Sequence, residues 1–445
     1  MYASQRPYEQ FAYSDAPVRD GFWASTVSAP DVLPVLEGDV HAEFAVVGGG
    51  FAGVAAALRL AEAGADVVLL DARDPGWGAS GRNGGLVSIG SAKVDDLTIE
   101  KRHGHDDAAA FYAAERRAIE AVAERRTRYG IDADVHGKGY TLAAHHPRAV
   151  AGLHAYGERY AQRYGLDYGF LDAADMRADG LNSPDFCAAV QLPLGCALNP
   201  LKMHRGLLRA AREAGVRVFA NSGVERIAGA YTLHTRLGSC QASTLLIATN
   251  GYVSDDLPGH RHRVLPVQSN ILVSRPLTES EIEAQGWHSD QMVVDTRRLL
   301  HYFRLMPDRR LLLGLRGTVR ASAESLATTR ARARADFERM FPAWRGVETP
   351  YFWSGLIAMS RELLPFAGPV PGHTGAWMTG AYHGSGVAMA PYCGELIADC
   401  ALGRRGEPHP QFMQRAPARF ELGRYRRAVL PAVFAAYGAL DRFGV

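Results

Sequence analysis

The chain has 445 residues, 47% of them hydrophobic, so it is too long for one simple core and too apolar for global disorder. Its 49 basic and 47 acidic residues leave a net charge of +2, which argues against a dedicated nucleic-acid binder. Five scattered cysteines (Cys187, Cys196, Cys240, Cys393 and Cys400) form no CxxC pair, and their odd number fits a reduced cytoplasm better than a disulfide framework.

Residues 1–40, rich in Pro, Ser and aromatics, read as an irregular arm. They contain no basic stretch followed by an apolar one, so no signal peptide is expected. The pattern then sharpens. Phe44–Val47 is a short apolar strand, an alanine-rich helix runs to about Ala63, and Val67–Leu70 is a second strand. A long amphipathic helix is predicted over 106–129, a strand over Gly139–Leu142 and a helix near 147–164. Leu201–Ala214 reads as a helix closed by Gly215. Strands follow at Val216–Phe219, Val224–Ile227 and Leu245–Ala248, with a hairpin around Tyr231–Thr235. The stretch 264–316 carries four short β runs (Val264–Ser274, Met292–Asp295, His301–Met306, Leu311–Leu315), the pattern of an antiparallel sheet. Residues 321–340 are helical, and the chain returns to α/β with strand Trp377–Thr379 and helix Val387–Leu402. No stretch reaches the length of a transmembrane helix, and the apolar tail Ala428–Leu440 reads as a terminal helix packed on the body.

The central motif is Gly48-Gly49-Gly50-Phe51-Ala52-Gly53, with Gly48, Gly50 and Gly53 in the three slots of GxGxxG. The first permits a tight turn, the second lets backbone approach a pyrophosphate, and the third lets helix pack on strand. The helix N-terminus, through Phe51 and Ala52, then offers N–H groups to the phosphates. Asp71, 18 residues beyond Gly53, ends the second strand where an acid binds ribose hydroxyls, with Ala72 and Arg73 beside it. An acid there disfavours a 2′-phosphate, hence NADP. A second glycine-rich loop, Gly76 to Gly85, follows at once. A nicotinamide enzyme has no need of it, whereas the long bent FAD molecule needs a second run of backbone donors, here from Ala79, Ser80, Arg82, Asn83, Gly84, Gly85 and Leu86. No second GxGxxG follows a mid-chain strand, which disfavours a reductase using NADPH.

The stretch GGGFAGVAAALRLAEAG…VVLLDA…GWGASGRNGG resembles the D-amino-acid-oxidase-like superfamily of flavoproteins, most closely its gamma-glutamylputrescine oxidase-like members. The similarity continues through Leu198-Asn199-Pro200, Ile247 to Tyr252, Tyr302 to Asp308, Trp353-Ser354-Gly355 and Gly380 to Val387, from about residue 20 onward. It implies an α/β fold: a Rossmann-type FAD domain with a discontinuous α+β substrate domain bearing an antiparallel sheet. After the arm 1–40, the FAD domain would occupy 41–135, 196–262 and 353–445, including a C-terminal helix. The substrate domain would occupy 136–195 and 263–352. By the matching motifs, Ser80 to Gly85 lie against flavin and pyrophosphate, and Val224 meets adenine through backbone. Thr249 and Gly251 belong to the matching ATNGY motif, and the turn Gly384, Ser385, Gly386, Val387 faces the flavin's pyrimidine end. The family's last turn usually reads Gly-Tyr-Ser-Gly-His-Gly-Val; here it is Ala-Tyr-His-Gly-Ser-Gly-Val, with His383 and Ser385 in exchanged places. No cysteine lies between Cys240 and Cys393 and no histidine in 74–85, so FAD is expected to be held non-covalently.

The implied reaction is oxidation of the C–N bond of an amine or amino acid, with hydride passing to flavin N5 and the imine then hydrolysing. Oxygen would reoxidise the flavin and give hydrogen peroxide. A dehydrogenase serving a quinone or carrier, and a non-catalytic flavin-binding subunit, are the competing readings. Tyr302 and Arg304 share one strand face, His301 and Phe303 the other. Only four lysines occur (Lys93, Lys101, Lys138, Lys202), none in the region where some relatives carry an oxygen-activating lysine, so Arg316 is the nearest cation. Arg316 would bind a substrate carboxylate or help oxygen reduction. Tyr302 and His383 complete the catalytic candidates. The pairs His103/His105, His145/His146 and His260/His262 have no companion ligands, so no metal is expected.

Overall fold

A computed structural model describes residues 6–29 and 31–444; Met1–Gln5 of the expected arm, Pro30 and Val445 lie outside them. In chain order, the elements that position the site begin with β1 (Gly38–Val47), α1 (Phe51–Glu62), β2 (Val67–Leu70) and α2 (His105–Arg128). They continue with β3 (Tyr140–Ala144), α3 (Val150–Tyr164), β4 (Gly169–Asp172), β5 (Ala188–Leu192), α4 (Pro200–Glu213), β6 (Arg217–Phe219) and β7 (Gly238–Ile247). Then come β8 (Val264–Val273), β9 (Met292–Asp295), β10 (His301–Leu305), β11 (Leu311–Arg316), α5 (Ala323–Met340) and β12 (Tyr351–Ser360). Last are β13 (Phe366–Pro369), β14 (Ala376–Gly380), α6 (Gly386–Ala401) and α7 (Leu430–Phe443).

Two eight-stranded sheets carry the fold. In the first, the order is β13-β14-β7-β1-β2-β6, with a short hairpin (Arg226–Ala228, Thr232–His234) attached to β7. Strands β14, β7, β1, β2 and β6 are parallel. Parallel strands are covered on both faces, which is why Phe44–Val47 and Val67–Leu70 are unbroken apolar runs. β1 starts earlier than its apolar run, because Gly38–Glu43 alternates in exposure while pairing with β7 from Gly238 onward. Helices α1 and α6 cross at close range on one face. A methyl placed on Gly394 would come 2.1 Å from the carbonyl oxygen of Ala52, so only glycine permits that approach.

The second sheet runs β12-β8-β11-β10-β9-β3-β5-β4 and is antiparallel except where β9 lies parallel to β3. β12 pairs with β8 along its whole length. Residues 353–360, read from sequence as the start of the last FAD-domain segment, therefore belong to the second sheet. The expected alternation on β10 is present: Phe303 packs into an aromatic cluster with Trp287 and Phe341, while Tyr302 and Arg304 face the first domain.

The arm is a series of 3₁₀ turns fastened to the glycine loop. Trp23 Nε1 donates to Asn83 O (2.8 Å), Trp77 Nε1 donates to Asp15 (2.8 Å), and Arg73 donates to Tyr13 O (3.1 Å). Helix α7 is anchored at its ends. Leu430 is buried, and the Asp441 carboxylate accepts the backbone N–H groups of Arg298 and Leu299. Among the described residues no helix is long and apolar enough to cross a membrane.

Behind the second sheet, His301 bridges Asp295 (2.8 Å) and Asp336 (3.2 Å). Burial opposes charge on His301, but the two carboxylates prevail and raise it to about 9. A folded-state value above the ordinary 6.5 stabilises the fold fully below pH 6.5, and that contribution is lost as pH rises through about 9. The denaturation midpoint should therefore fall across this window, and His301→Gln should remove most of the slope. An unchanged slope in the variant would assign it to other groups.

Candidate active site

Four parallel strands end at one place, and the residues after them line a single cavity of about 990 Å³. Val47-Gly48 follows β1, Leu70-Asp71 follows β2, Ala248-Thr249 follows β7, and Tyr382 to Gly384 follow β14. Ligands in open α/β sheets bind at such carboxyl ends.

The two glycine bends meet here. Gly76 N–H donates to Gly49 O (3.0 Å), and Phe51 N–H donates to Ser80 Oγ (2.8 Å). Gly48 has φ +104, a conformation that favours glycine. A methyl on Gly53 would sit 1.8 Å from Gly48 O, so the third glycine is needed for helix-on-strand packing, as expected. A methyl on Gly50 would stand 3.0 Å from Ser80 Oγ. Asp71 accepts the N–H of Gly49 (2.6 Å) and of Arg73 (2.8 Å), and burial pushes its pKa up to about 6.

Of the sequence-derived candidates, the cavity is lined by Gly48, Gly50, Phe51, Ala52, Asp71, Ala72, Arg73, Ala79, Ser80, Asn83, Val224, Thr249, His383, Gly384, Gly386 and Val387. Thr249 Oγ1 is buried there without a protein partner. Gly384, at φ +113, has open space where a side chain would be. Neither α1 nor α6 is capped by the side chain of its own N-cap residue; Ser80 Oγ takes the Phe51 N–H, and the following backbone N–H groups of both N-termini are left for a ligand.

Other candidates stand behind this wall, with roles in packing. Arg82 is buried, with its guanidinium stacked 3.9 Å from the Trp77 ring and donating to Trp77 O and Ser354 O. It braces the loop against β12 instead of facing a phosphate. Gly84 lies against the Tyr302 ring, and Gly85, at φ +74, lies against Leu198 O. Leu86 packs on the main core, and Gly251 lies against the Leu356 carbonyl. Ser385 donates to Ile89 O (3.1 Å).

His383, expected as a catalytic group, has both ring nitrogens committed. Nδ1–H donates to Ser91 O (2.7 Å) and Nε2 accepts Ser360 N–H (3.2 Å). Burial, with Lys93 and Arg316 nearby, depresses its pKa to about 3. His383 is thus a neutral positioning group. With Ser385 it secures residues 89–91, so the exchanged pair of the last turn serves one loop.

Glu115 governs that loop. Its carboxylate accepts Gly90 N–H (2.9 Å), Ser91 N–H (2.7 Å), Ser91 Oγ–H (2.7 Å) and Tyr164 O–H (2.9 Å). Lys93 extends from the loop, and Nζ donates to Gly90 O (2.9 Å). The side chain is exposed, yet the protein around the amine, with Arg316 nearby, lowers its pKa to about 8. Sequence reasoning sought a lysine only downstream and so missed Lys93. Glu115 had a usable signal: it falls within the apolar stripe Phe111, Ala114, Ala118, Ile119 of α2.

The second sheet packs against the glycine loop. Tyr302 lies flat between Gly314 and Gly84, and its hydroxyl is 3.2 Å from Ser269 Oγ. Arg316, at the end of β11, pairs with Ser269 in register. Arg304, its neighbour on the face of Tyr302, is spent on Gly84 O, Leu198 O and His136 Nε2. No cluster that could hold a metal occurs among the described residues.

The family model described as FAD dependent oxidoreductase (DAO) matches residues 43–400. The chain is 30% identical over 435 residues to "Probable oxidoreductase OrdL" of Rhizobium meliloti (strain 1021), covering 96% of this chain and 99% of that protein. It is 31% identical over 430 residues to "Gamma-glutamylputrescine oxidoreductase" of Escherichia coli (strain K12), covering 95% and 98%. Among solved structures, glycine oxidase from Geobacillus kaustophilus superposes with TM-score 0.69 at 20% identity, covering 84% of this chain and 98% of that one.

Glu115→Ala would orphan three buried donors on residues 90 and 91, at a cost of about 2–4 kcal/mol. Hydrogen exchange at the Gly90 and Ser91 amides should accelerate in the variant. Unchanged protection there would mean that other contacts order the loop.

Proposed function

Because the chain belongs to the FAD dependent oxidoreductase (DAO) family, we propose that it uses FAD to oxidise the C–N bond of an amine or amino acid. The observation that carries this reading is the convergence of two helix N-termini and the carboxylate of Asp71 on a single long cavity. That donor set fits the dinucleotide. Gly50 and Ala52 would meet the pyrophosphate through backbone N–H groups, while Gly48 and Phe51, whose N–H groups donate to Leu70 O and Ser80 Oγ, would shape the turn beneath it. Asp71, with Ala72 and Arg73, would hold the adenosine ribose, and Val224 the adenine. Ala79, Ser80, Asn83 and Thr249 would line the path between, and Gly384, Gly386 and Val387 the pyrimidine end. No cysteine is among the lining residues, and His383 has no free ring nitrogen, which supports non-covalent retention.

Bound FAD supplies the two-electron acceptor for the oxidation. The protein's part is to orient the substrate and exclude water. The substrate would lie beside the last turn, near Tyr302, Ser269, Lys93 and Arg316, where the carboxylate of Glu115 is already occupied. Positive charge there disfavours an ammonium ion and favours the neutral amine, the form that can be oxidised. No separate strong base is then required. Oxygen is the proposed acceptor in turnover, with hydrogen peroxide as product. The name of the Escherichia coli relative makes γ-glutamyl amines the first substrates to try.

The test is anaerobic mixing of the FAD-loaded protein with polyamines, γ-glutamyl amines, N-methyl amines and amino acids. At least one class should bleach the flavin, and air should then restore the colour with release of peroxide. Bleaching without peroxide would replace oxygen by a quinone or carrier. Bound FAD that no amine bleaches would make the chain a flavin-binding subunit.

A further inference from the structure

We propose that the N-terminal arm is part of the cofactor site: Arg6, carried on the Tyr13 ring, meets the negative charge of the FAD diphosphate and clamps the dinucleotide in its cavity. The inference rests on the FAD reading above and adds a side-chain contact that neither glycine turn supplies.

The family model begins at residue 43, so the arm lies outside the core that it describes. The arm nevertheless reaches the cavity. Arg6, Gln10 and Tyr13 line it together with Gly50, Arg73 and Ser80. Gln10–Tyr13 is a 3₁₀ turn, and a period of three puts its first and last residues on one side. That side faces the cavity, while Tyr8 and Ala12 pack with Ala321 and Leu356. The fastening comes from segments distant in sequence. Arg427 donates to Pro7 O (2.7 Å) and to the Glu9 carboxylate (3.1 Å), with its guanidinium 3.5 Å from the centre of the Tyr8 ring. Glu9 also accepts Ala321 N–H (3.1 Å), and Arg73 donates to Tyr13 O (3.1 Å). The arm is thus tied down on both sides of Gln10.

The arm answers the charge of the ligand. A diphosphate is anionic, and the glycine turns oppose it with backbone N–H groups. Arg82, the cation of the second loop, is spent on Trp77 O and Ser354 O. Arg6 makes no hydrogen bond or ion pair among the described residues; its guanidinium lies 4.6 Å from the centre of the Tyr13 ring. The ring holds the cation in place without using its N–H donors, which stay open to an anion. Arg73 is tied to the carbonyl of the same Tyr13, so one residue carries two cations on the cavity wall. An anion between the start of α1 and the arm gains charge-assisted hydrogen bonds from Arg6, and these must break before FAD leaves.

The probes are FAD and ADP, titrated into the full chain freed of flavin, with hydrogen exchange as a readout that needs no variant. FAD should slow exchange at the Ala12 and Ser14 amides of the arm roughly tenfold. Arg6→Met should weaken FAD roughly tenfold, and Arg6→Lys should recover part of the loss. ADP carries the diphosphate without the flavin, so as a competitor it should lose the same factor in Arg6→Met. Raising salt should weaken FAD less in Arg6→Met than in the wild type. Circular dichroism of the flavin-free proteins reports whether each variant is folded. Arm amides indifferent to FAD, wild-type FAD affinity in Arg6→Met, or an ADP affinity untouched by it would each overturn the clamp. FAD bound tightly with no protection of the arm would sink the clamp and leave the flavin reading standing. A wild type that takes up no FAD would sink both. FAD held by the arm, with no amine bleaching it, would keep the clamp and remove the oxidation.

Discussion

The carbonyl of Gly49 and the hydroxyl of Ser80 join two turns of chain that are separate in sequence. Gly49 O accepts from Gly76 N–H (3.0 Å) and from His204 Nε2–H (2.8 Å), and Ser80 Oγ accepts from Phe51 N–H (2.8 Å). His204 is fully buried on α4, so burial lowers its pKa to about 4 and keeps it a neutral donor. A methyl on Gly50 would press on Ser80 Oγ at 3.0 Å, one on Gly48 would meet Ala248 O at 2.8 Å, and one on Gly53 would meet Gly48 O at 1.8 Å; the N-terminus of α1 points into the cavity. Helix α6 can then deliver its own N-terminus to the same cavity because Gly394 lets it ride against the Ala52 backbone. Each step demands the absence of a Cβ, which explains why glycine dominates the motifs.

A second frame controls the opposite end. Hydrogen bonds run from Tyr164 on α3 to Glu115 on α2, on to Ser91, from its carbonyl to His383, and on to the backbone of Ser360. The route joins α2 and α3, the loop bearing Lys93, the last turn and the end of β12. Its members are neutral or spent. The same frame explains why His383 is a brace. A ring held between two backbone groups cannot also exchange protons with a substrate.

Much of this was legible in the residues. The β1–α1–β2 unit, Asp71 and the second glycine loop follow from local rules, because turn geometry and strand burial leave direct marks on composition. The antiparallel runs between 264 and 316 were equally plain. What escaped was set by tertiary contact. The first half of β1 is polar and is a strand only because β7 pairs with it. β12 reads as a glycine-interrupted aromatic stretch, and its place in the second sheet depends on β8. Arg82, read as one backbone donor of the second glycine loop, has its side chain stacked on Trp77, and nothing local distinguishes an arginine facing a ligand from one facing a ring. Lys93 is far from Arg316 in sequence, and only folding brings the two into each other's field.

The central claim is that one extended dinucleotide lies across both glycine turns, and Gly50 is the point where it is most exposed to test. A methyl there would stand 3.0 Å from Ser80 Oγ, and a larger side chain would fill the space the phosphates require. The measurement is titration of the flavin-free protein with FAD, for the wild type and for Gly50→Val, with circular dichroism to verify that both are folded. The account predicts one FAD per chain for the wild type and no measurable binding for a folded Gly50→Val. Wild-type affinity in the variant would contradict it.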